Sequence, residues 1–132
     1  STGADAKMSG YPGKPTDLAF DSRGLLLATG GREIVTIWIF ADGGPEGTRP
    51  TELDMHSLPI TCLSFSPTQP LLASGARDGS LMVWSVDESG EGAPRAAILL
   101  AERITSIAWS PDGNMLSATS GAGQITTWQL ET

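Results

Sequence analysis

The residues of this chain that could do chemistry are few, and the most reactive pair is His56 and Cys62. They are the only histidine and the only cysteine among the 132 residues. A cysteine beside a histidine can act as a nucleophile, and both side chains bind zinc, but a zinc site takes three or four such ligands. Cys62 also lies within an apolar run, which favours a packed, inert thiol. We therefore predict no catalytic residue and no metal at this pair.

Two further patterns match known binding sites only in part. Asp87, Glu88 and Glu91 bring three carboxylates together, but their spacing is not that of a calcium-binding EF-hand loop. Gly121-Ala122-Gly123 is a fragment of a nucleotide-binding glycine loop, but it joins two β-rich runs and no helix follows it. We interpret the first as a solvent-facing loop and the second as a hairpin turn, so no cofactor is expected.

The charge and hydropathy of the chain restrict its partners. Acidic residues outnumber basic ones by 15 to 8, for a net charge of −7. Nucleic acids and anionic membrane surfaces bind basic proteins, so neither is expected as a partner. No apolar run approaches the roughly 20 residues that span a bilayer, and a lone cysteine forms no disulfide within the chain. We expect a cytoplasmic protein.

The residues that position these groups belong to a repeat. Each of three units contains a first β-rich run that ends near an aromatic residue, and a third run that ends in tryptophan. The aromatic residues are Phe20, Phe65 and Trp109, and the tryptophans are Trp38, Trp84 and Trp128. Corresponding residues are 44 to 46 positions apart, a period typical of repeat folds.

Short runs rich in Ile, Val, Leu and Thr, joined by links that contain glycine or proline, predict antiparallel hairpins. Many of the 16 glycines and nine prolines fall in these links. We predict a fourth strand at Thr51–Met55 and again at Ala96–Leu100, after surface loops at 41–50 and 87–95. The predicted class is all-β, with a flexible segment at 1–14 and units at about 15–55, 56–100 and 101–132.

These units resemble the WD repeat of β-propellers, and the second unit resembles it most, over His56–Pro67 and Leu71–Trp84. The resemblance implies blades made of four-stranded antiparallel sheets. It also implies a hydrogen-bonded tetrad, for which His56, Ser74, Asp78 and Trp84 stand at the matching positions. Such a chain of side chains would satisfy a buried indole N–H and a carboxylate together.

The other two units depart from that pattern. In unit 3, Leu100 stands at the histidine position and Ala122 at the aspartate position. Unit 1 is one residue shorter in its second turn, where it offers Arg32 or Glu33. The hydrophobic period and the turns still predict the same fold for all three units, whereas the full tetrad is expected in unit 2 alone.

Three blades leave the ring incomplete, because propellers close with roughly four to eight blades. Left alone, the outer faces of units 1 and 3 would expose apolar surface. We predict that the chain closes its ring by self-association, as a dimer with six blades or a trimer with nine. The alternative is that this chain is a piece of a longer propeller.

The resemblance implies a non-enzymatic scaffold that binds protein or peptide partners. In the family, the residue before the tetrad aspartate often faces a ligand, and here that residue is Arg77. Leu58 and Pro59 should lie near the same face, with Arg32 as the counterpart of Arg77 in unit 1. The alternative is a propeller enzyme whose site lies in the central channel, among the polar residues at the starts of the first strands: Thr16, Asp17, Thr61, Arg103 and Thr105.

Overall fold

The computed structural model describes residues 17–30, 33–39, 51–54, 56, 58–87 and 90–129. These residues form eleven β-strands, which confirms the all-β prediction. The strands are β1 (Asp17–Phe20), β2 (Leu26–Gly30), β3 (Val35–Ile39), β4 (Thr51–Leu53), β5 (Ile60–Phe65), β6 (Leu71–Ala76), β7 (Ser80–Val86), β8 (Gly92–Leu99), β9 (Ile104–Trp109), β10 (Met115–Ser120) and β11 (Ile125–Gln129). The segment 1–14, predicted to be flexible, lies outside the described residues.

The strands form three antiparallel sheets, each a simple meander. Blade 1 has the order β1-β2-β3-β4 and blade 2 has the order β5-β6-β7-β8. Blade 3 contains β9, β10 and β11, with β10 in the middle, so it has three strands within the described part of the chain. This arrangement confirms the predicted propeller-blade architecture.

The turns show why glycine is so frequent in this sequence. The β6–β7 turn is closed by a hydrogen bond of 3.1 Å from the Gly79 N–H to the Ala76 carbonyl. Gly79 has a φ of 86° and Gly113, in the β9–β10 turn, has a φ of 75°. Residues with a Cβ rarely adopt this left-handed backbone conformation, so each turn depends on its glycine.

The outer strands differ in length from the prediction. Strand β4 ends at Leu53, and Met55 lies outside the described residues. Strand β8 begins at Gly92, so part of the segment predicted as a loop extends the sheet instead. Pro94 falls within that predicted loop, but proline is tolerated on an edge strand, where its missing N–H has no ladder partner to lose.

Two apolar joints hold the blades side by side. The first packs blade 1 against blade 2, and Ala28, Ile37 and Leu63 belong to it. The second packs blade 2 against blade 3, and includes Val83 and Ile104. We call the side of each blade toward the next one along the chain its front face, and the opposite side its rear face.

Two glycines set how closely the blades approach. A Cβ on Gly30 would lie 2.7 Å from Ile60 Cγ2, and a Cβ on Gly75 would lie 2.6 Å from Ile104 Cγ2. Both distances are shorter than real carbon contacts, so the isoleucine of the following blade packs directly on the glycine backbone.

The front face of blade 3 is more polar than the front face of blade 2. By the repeat, Ser117, Thr119 and Thr127 stand where blade 2 has Ala73, Gly75 and Val83. Their hydroxyls bond to one another or to neighbours. Ser117 Oγ is 2.8 Å from Thr127 Oγ1, and Ser106 Oγ is 2.7 Å from Thr119 Oγ1. Ile125, on the same strand as Thr127, is 72% exposed.

Candidate functional site

The four residues predicted for the tetrad come from four different elements of blade 2. His56 lies in the connection that enters β5, Ser74 in β6, Asp78 in the β6–β7 turn and Trp84 in β7. All of them except the half-buried Asp78 are buried. Antiparallel pairing of β6 with β7 places Leu72 opposite Trp84. Ser74 lies two residues further along β6 on the same face of the sheet, so it is the diagonal neighbour of Trp84.

The structure brings these side chains into one hydrogen-bonded chain. The Trp84 indole Nε1–H donates to Ser74 Oγ over 2.9 Å. Ser74 Oγ is 2.7 Å from His56 Nε2, and His56 Nδ1 is 2.7 Å from Ser80 Oγ. Ser80 in turn donates to Asp78 Oδ1 over 2.5 Å. A chain of this kind satisfies every buried polar atom in it and fixes the turn that carries Asp78.

Ser80 is the member of this chain that the sequence prediction missed. The prediction joined His56 directly to Asp78, whereas the structure places Ser80 between them. The Ser80 backbone N–H also donates to Asp78 Oδ1 over 2.9 Å. An aspartate two residues before a serine forms such turns frequently, so the Asp-Gly-Ser sequence contained a signal for this contact.

Burial sets the protonation state of the histidine. Desolvation lowers the pKa of His56 below its ordinary value, and the opposing attraction of Asp78 only partly offsets it. For Asp78, desolvation raises the pKa, but hydrogen bonds from the Ser80 hydroxyl and backbone, together with His56, outweigh it, and the net pKa is lowered. At neutral pH the chain therefore holds a neutral imidazole and an ionised carboxylate.

These directions predict a loss of stability in mild acid. Since the folded-state pKa of His56 lies below its unfolded value of 6.5, the unfolded chain takes up more protons as the pH falls below that value. The contribution of His56 to the free energy of unfolding should be constant above pH 6.5 and should decrease as the pH falls from that value through the folded-state pKa. Urea denaturation at a series of pH values between 8 and 5 measures this.

His56→Gln is the control for that measurement, because no second histidine titrates in this range. The variant should be less stable but should lose the slope near neutral pH. A slope that survives the substitution would contradict the assignment. Protonation of Asp78 comes later, below its ordinary pKa of 3.8.

Blades 1 and 3 keep only part of this arrangement. In blade 1, Trp38 Nε1 donates to Thr29 Oγ1 over 3.0 Å, and both residues are buried. Thr29 is the repeat counterpart of Ser74. In blade 3 the same position is Ala118, so Trp128 has no hydroxyl there.

The residues predicted to contact a partner lie at one end of blade 2. The Arg77 backbone N–H donates to the Pro59 carbonyl over 3.0 Å, which ties the β6–β7 turn to the connection before β5. The Arg77 side chain is exposed, and Leu58 beside Pro59 is 45% exposed. Arg32, the predicted counterpart in blade 1, lies outside the described residues.

Of the polar residues named for a central-channel site, Asp17 and Thr61 serve the joints between blades, and Thr16 lies outside the described residues. Asp17 Oδ2 accepts a hydrogen bond of 2.7 Å from the Leu63 N–H of blade 2. Thr61 Oγ1 donates to the Ile104 carbonyl of blade 3 over 2.5 Å. Burial, chiefly, raises the pKa of the Cys62 thiol to about 11, which suits a packed thiol and not a nucleophile.

Among the described residues there is no group of three or more His, Cys, Asp and Glu side chains that could hold a metal ion. Within the same residues there is also no helix long and apolar enough to cross a membrane.

Comparison with known proteins identifies the class of this fold. The family model described as "WD domain, G-beta repeat" matches residues 47–85 and 99–129. The first stretch contains β4 of blade 1 and nearly all of β5 to β7 of blade 2, the second contains β9 to β11 of blade 3, and together they cover more than half of the chain. The chain belongs to the WD40 repeat family, whose members are generally non-enzymatic scaffolds.

Individual relatives agree with this assignment. The chain is similar to WD repeat-containing protein 1 of Bos taurus, with 31% identity over 130 residues, covering 96% of this chain and 20% of the relative. It is similar to protein transport protein SEC13 homolog B of Arabidopsis thaliana, with 28% identity over 122 residues, covering 84% and 40%. Similarity to COMPASS component SWD1 of Saccharomyces cerevisiae reaches 39% over 77 residues, covering 57% and 18%. The chain thus spans less than half the length of each of these relatives.

Proposed function

We propose that this chain is the three-bladed part of a propeller scaffold that binds protein or peptide partners and catalyses no reaction. The observation that carries the proposal is the end of blade 2, where exposed side chains stand on a backbone fixed by the His56–Ser74–Trp84 chain. A rigid turn that presents exposed residues loses little conformational entropy on binding, which favours affinity. A cytoplasmic location remains part of the proposal.

We also propose that the propeller ring closes by self-association, and the rear face of blade 1 supports this. Leu18 is 59% exposed there, whereas its repeat counterpart Leu63 is 7% exposed because blade 1 packs on it. The blade 1–blade 2 joint therefore defines what fits against Leu18, namely the front face of another blade. We propose that a second or third copy of this chain supplies that face, giving six or nine blades.

The joint between copies would be more polar than the joints within the chain. The Ser117–Thr127 and Ser106–Thr119 pairs on the front face of blade 3 already bond to each other. Burying these four side chains would therefore avoid the full cost of leaving hydroxyls without a partner. The free energy gained would still be smaller than that from burying the alanine and valine of blade 2. We expect association that depends on protein concentration.

Sedimentation of the purified chain tests this proposal. The wild type should sediment at two or three times the 13.8 kDa of one chain, and Leu18→Asp should shift it toward the monomer, because a charge cannot be buried unpaired in the joint. The double variant Ser117→Ala/Thr127→Val, which copies the front face of blade 2, should associate more tightly.

Leu99→Asp is the matched control, since Leu99 is 75% exposed on the outer strand β8, away from both end faces. It should leave the sedimentation unchanged. A wild-type monomer at all concentrations would contradict self-association, and the exposed face would then be assigned to further blades of a longer protein.

A further inference from the structure

The end of the blades that carries Arg77 also carries a second exposed arginine, Arg103. The connection that leaves β8 first bonds to the β6–β7 turn, through a hydrogen bond of 2.8 Å from the Leu100 N–H to the Gly79 carbonyl. Three residues further on, the Arg103 carbonyl accepts a hydrogen bond of 2.9 Å from the Gly121 N–H in the β10–β11 turn. One connection therefore links the turn of Arg77 in blade 2 to the equivalent turn in blade 3.

The Arg103 side chain lies over Gly121, which is the repeat counterpart of Arg77. A Cβ on Gly121 would lie 3.0 Å from Arg103 Nη1 and 3.2 Å from its Cγ. The guanidinium thus occupies the place that a side chain at position 121 would otherwise fill. Blade 2 presents a cation from its own turn, and blade 3 presents one from the preceding connection at the corresponding place.

Neither guanidinium is neutralised by the described part of the chain. Within that part, neither Arg77 nor Arg103 forms an ion pair or donates a side-chain hydrogen bond. The neighbouring Asp78 is turned inward to Ser80, and Glu102 is exposed beside Arg103 without an ion pair there. Both guanidinium groups are therefore open to an anionic partner, although the chain as a whole has a net charge of −7.

We propose that Arg77 and Arg103, together with Leu58, form a docking surface for an acidic peptide segment that carries an apolar side chain. Guanidinium groups bind carboxylates through paired hydrogen bonds, and Leu58 and Pro59 offer an apolar contact next to Arg77. A nucleic acid is disfavoured at the same place, because its regularly spaced phosphates would extend beyond the two arginines over a chain of net charge −7, whereas a short peptide can place its carboxylates against the two guanidinium groups alone. This inference rests on the proposed function and adds the chemistry of the partner to it.

Fluorescence anisotropy with a labelled peptide of glutamates around one central leucine tests the proposal. The chain should bind this peptide, and Arg77→Ala and Arg103→Ala should each weaken binding by about tenfold, the value of one charge-assisted contact. Raising the salt concentration should weaken binding as well. A peptide with glutamine in place of every glutamate should not bind.

Arg95→Ala is the matched control, because Arg95 is an exposed arginine on the outer strand β8 and its loss changes the net charge equally. It should leave peptide binding unchanged. Equal weakening by all three substitutions, equal binding of the glutamine peptide, or no binding of the acidic peptide would each overturn the proposal. Preferential binding of a single-stranded oligothymidylate that depends on the same two arginines would overturn it in favour of nucleic acid.

The two proposals can fail separately. Sedimentation reports ring closure through the faces of blades 1 and 3, whereas anisotropy reports the end of blades 2 and 3. A chain that associates but ignores the acidic peptide would keep the scaffold proposal and remove the acidic partner. The melting temperature of each arginine variant, measured by circular dichroism, should equal that of the wild type, since neither guanidinium is buried.

Discussion

Ser74→Ala is expected to lower the free energy of unfolding by about 3 kcal/mol. Ser74 is completely buried and its one hydroxyl serves two partners, the Trp84 indole and the His56 imidazole. Alanine removes the oxygen and leaves both nitrogens buried without a partner, and each such loss costs about 1–3 kcal/mol. Against a total stability of roughly 5–15 kcal/mol for a domain, this is a large effect for one atom.

Thr29→Val is the matched comparison for this prediction, because it also takes away one buried hydroxyl and removes no carbon. Thr29 holds the equivalent place in blade 1, but its hydroxyl accepts a hydrogen bond from the Trp38 indole and is bonded to no histidine. The substitution should therefore cost about half as much, and the difference between the two variants isolates the contribution of His56. Urea denaturation followed by tryptophan fluorescence measures both. Equal losses would show that the His56 contact contributes nothing to stability.

The fold could be predicted from the sequence because it depends on local, repeated signals. Alternating apolar runs and glycine turns recur every 44 to 46 residues, and each turn glycine with a positive φ, such as Gly79, lies in a predicted link. The start of β8 was missed, since Gly92 and Pro94 are turn residues by composition. On an outer strand the ladder has one neighbour only, and tertiary pairing with β7 overrides the local preference.

The site was predictable in its membership but not in its connections. The resemblance to the WD repeat identified four positions, whereas the role of Ser80 depends on the exact turn that joins β6 to β7. Arg103 could not be found in the same way, because it reaches its place from a different element than Arg77 does. Only the contact between Arg103 and Gly121 shows that the two arginines occupy corresponding places.

The close approach of blades 2 and 3 predicts a second large effect, for Gly75→Ala. The added methyl carbon would lie 2.6 Å from Ile104 Cγ2 and 2.9 Å from Cys62 Sγ, and both neighbours are buried in the joint. Separating the blades enough to accept it should cost about 1–3 kcal/mol, even though alanine restricts the unfolded chain more than glycine does.

Gly121→Ala is the control for this effect, since it makes the same chemical change against a different neighbour. Its methyl would meet the Arg103 side chain, which is exposed and free to move by a few tenths of an ångström, so the stability should be almost unchanged. Ile104→Ala provides a second check, because it removes the Cγ2 that the new methyl meets. The double variant Gly75→Ala/Ile104→Ala should lose less stability than the sum of the two single losses. Strict additivity, or equal losses at Gly75 and Gly121, would show that blade contact does not depend on the missing side chain at position 75.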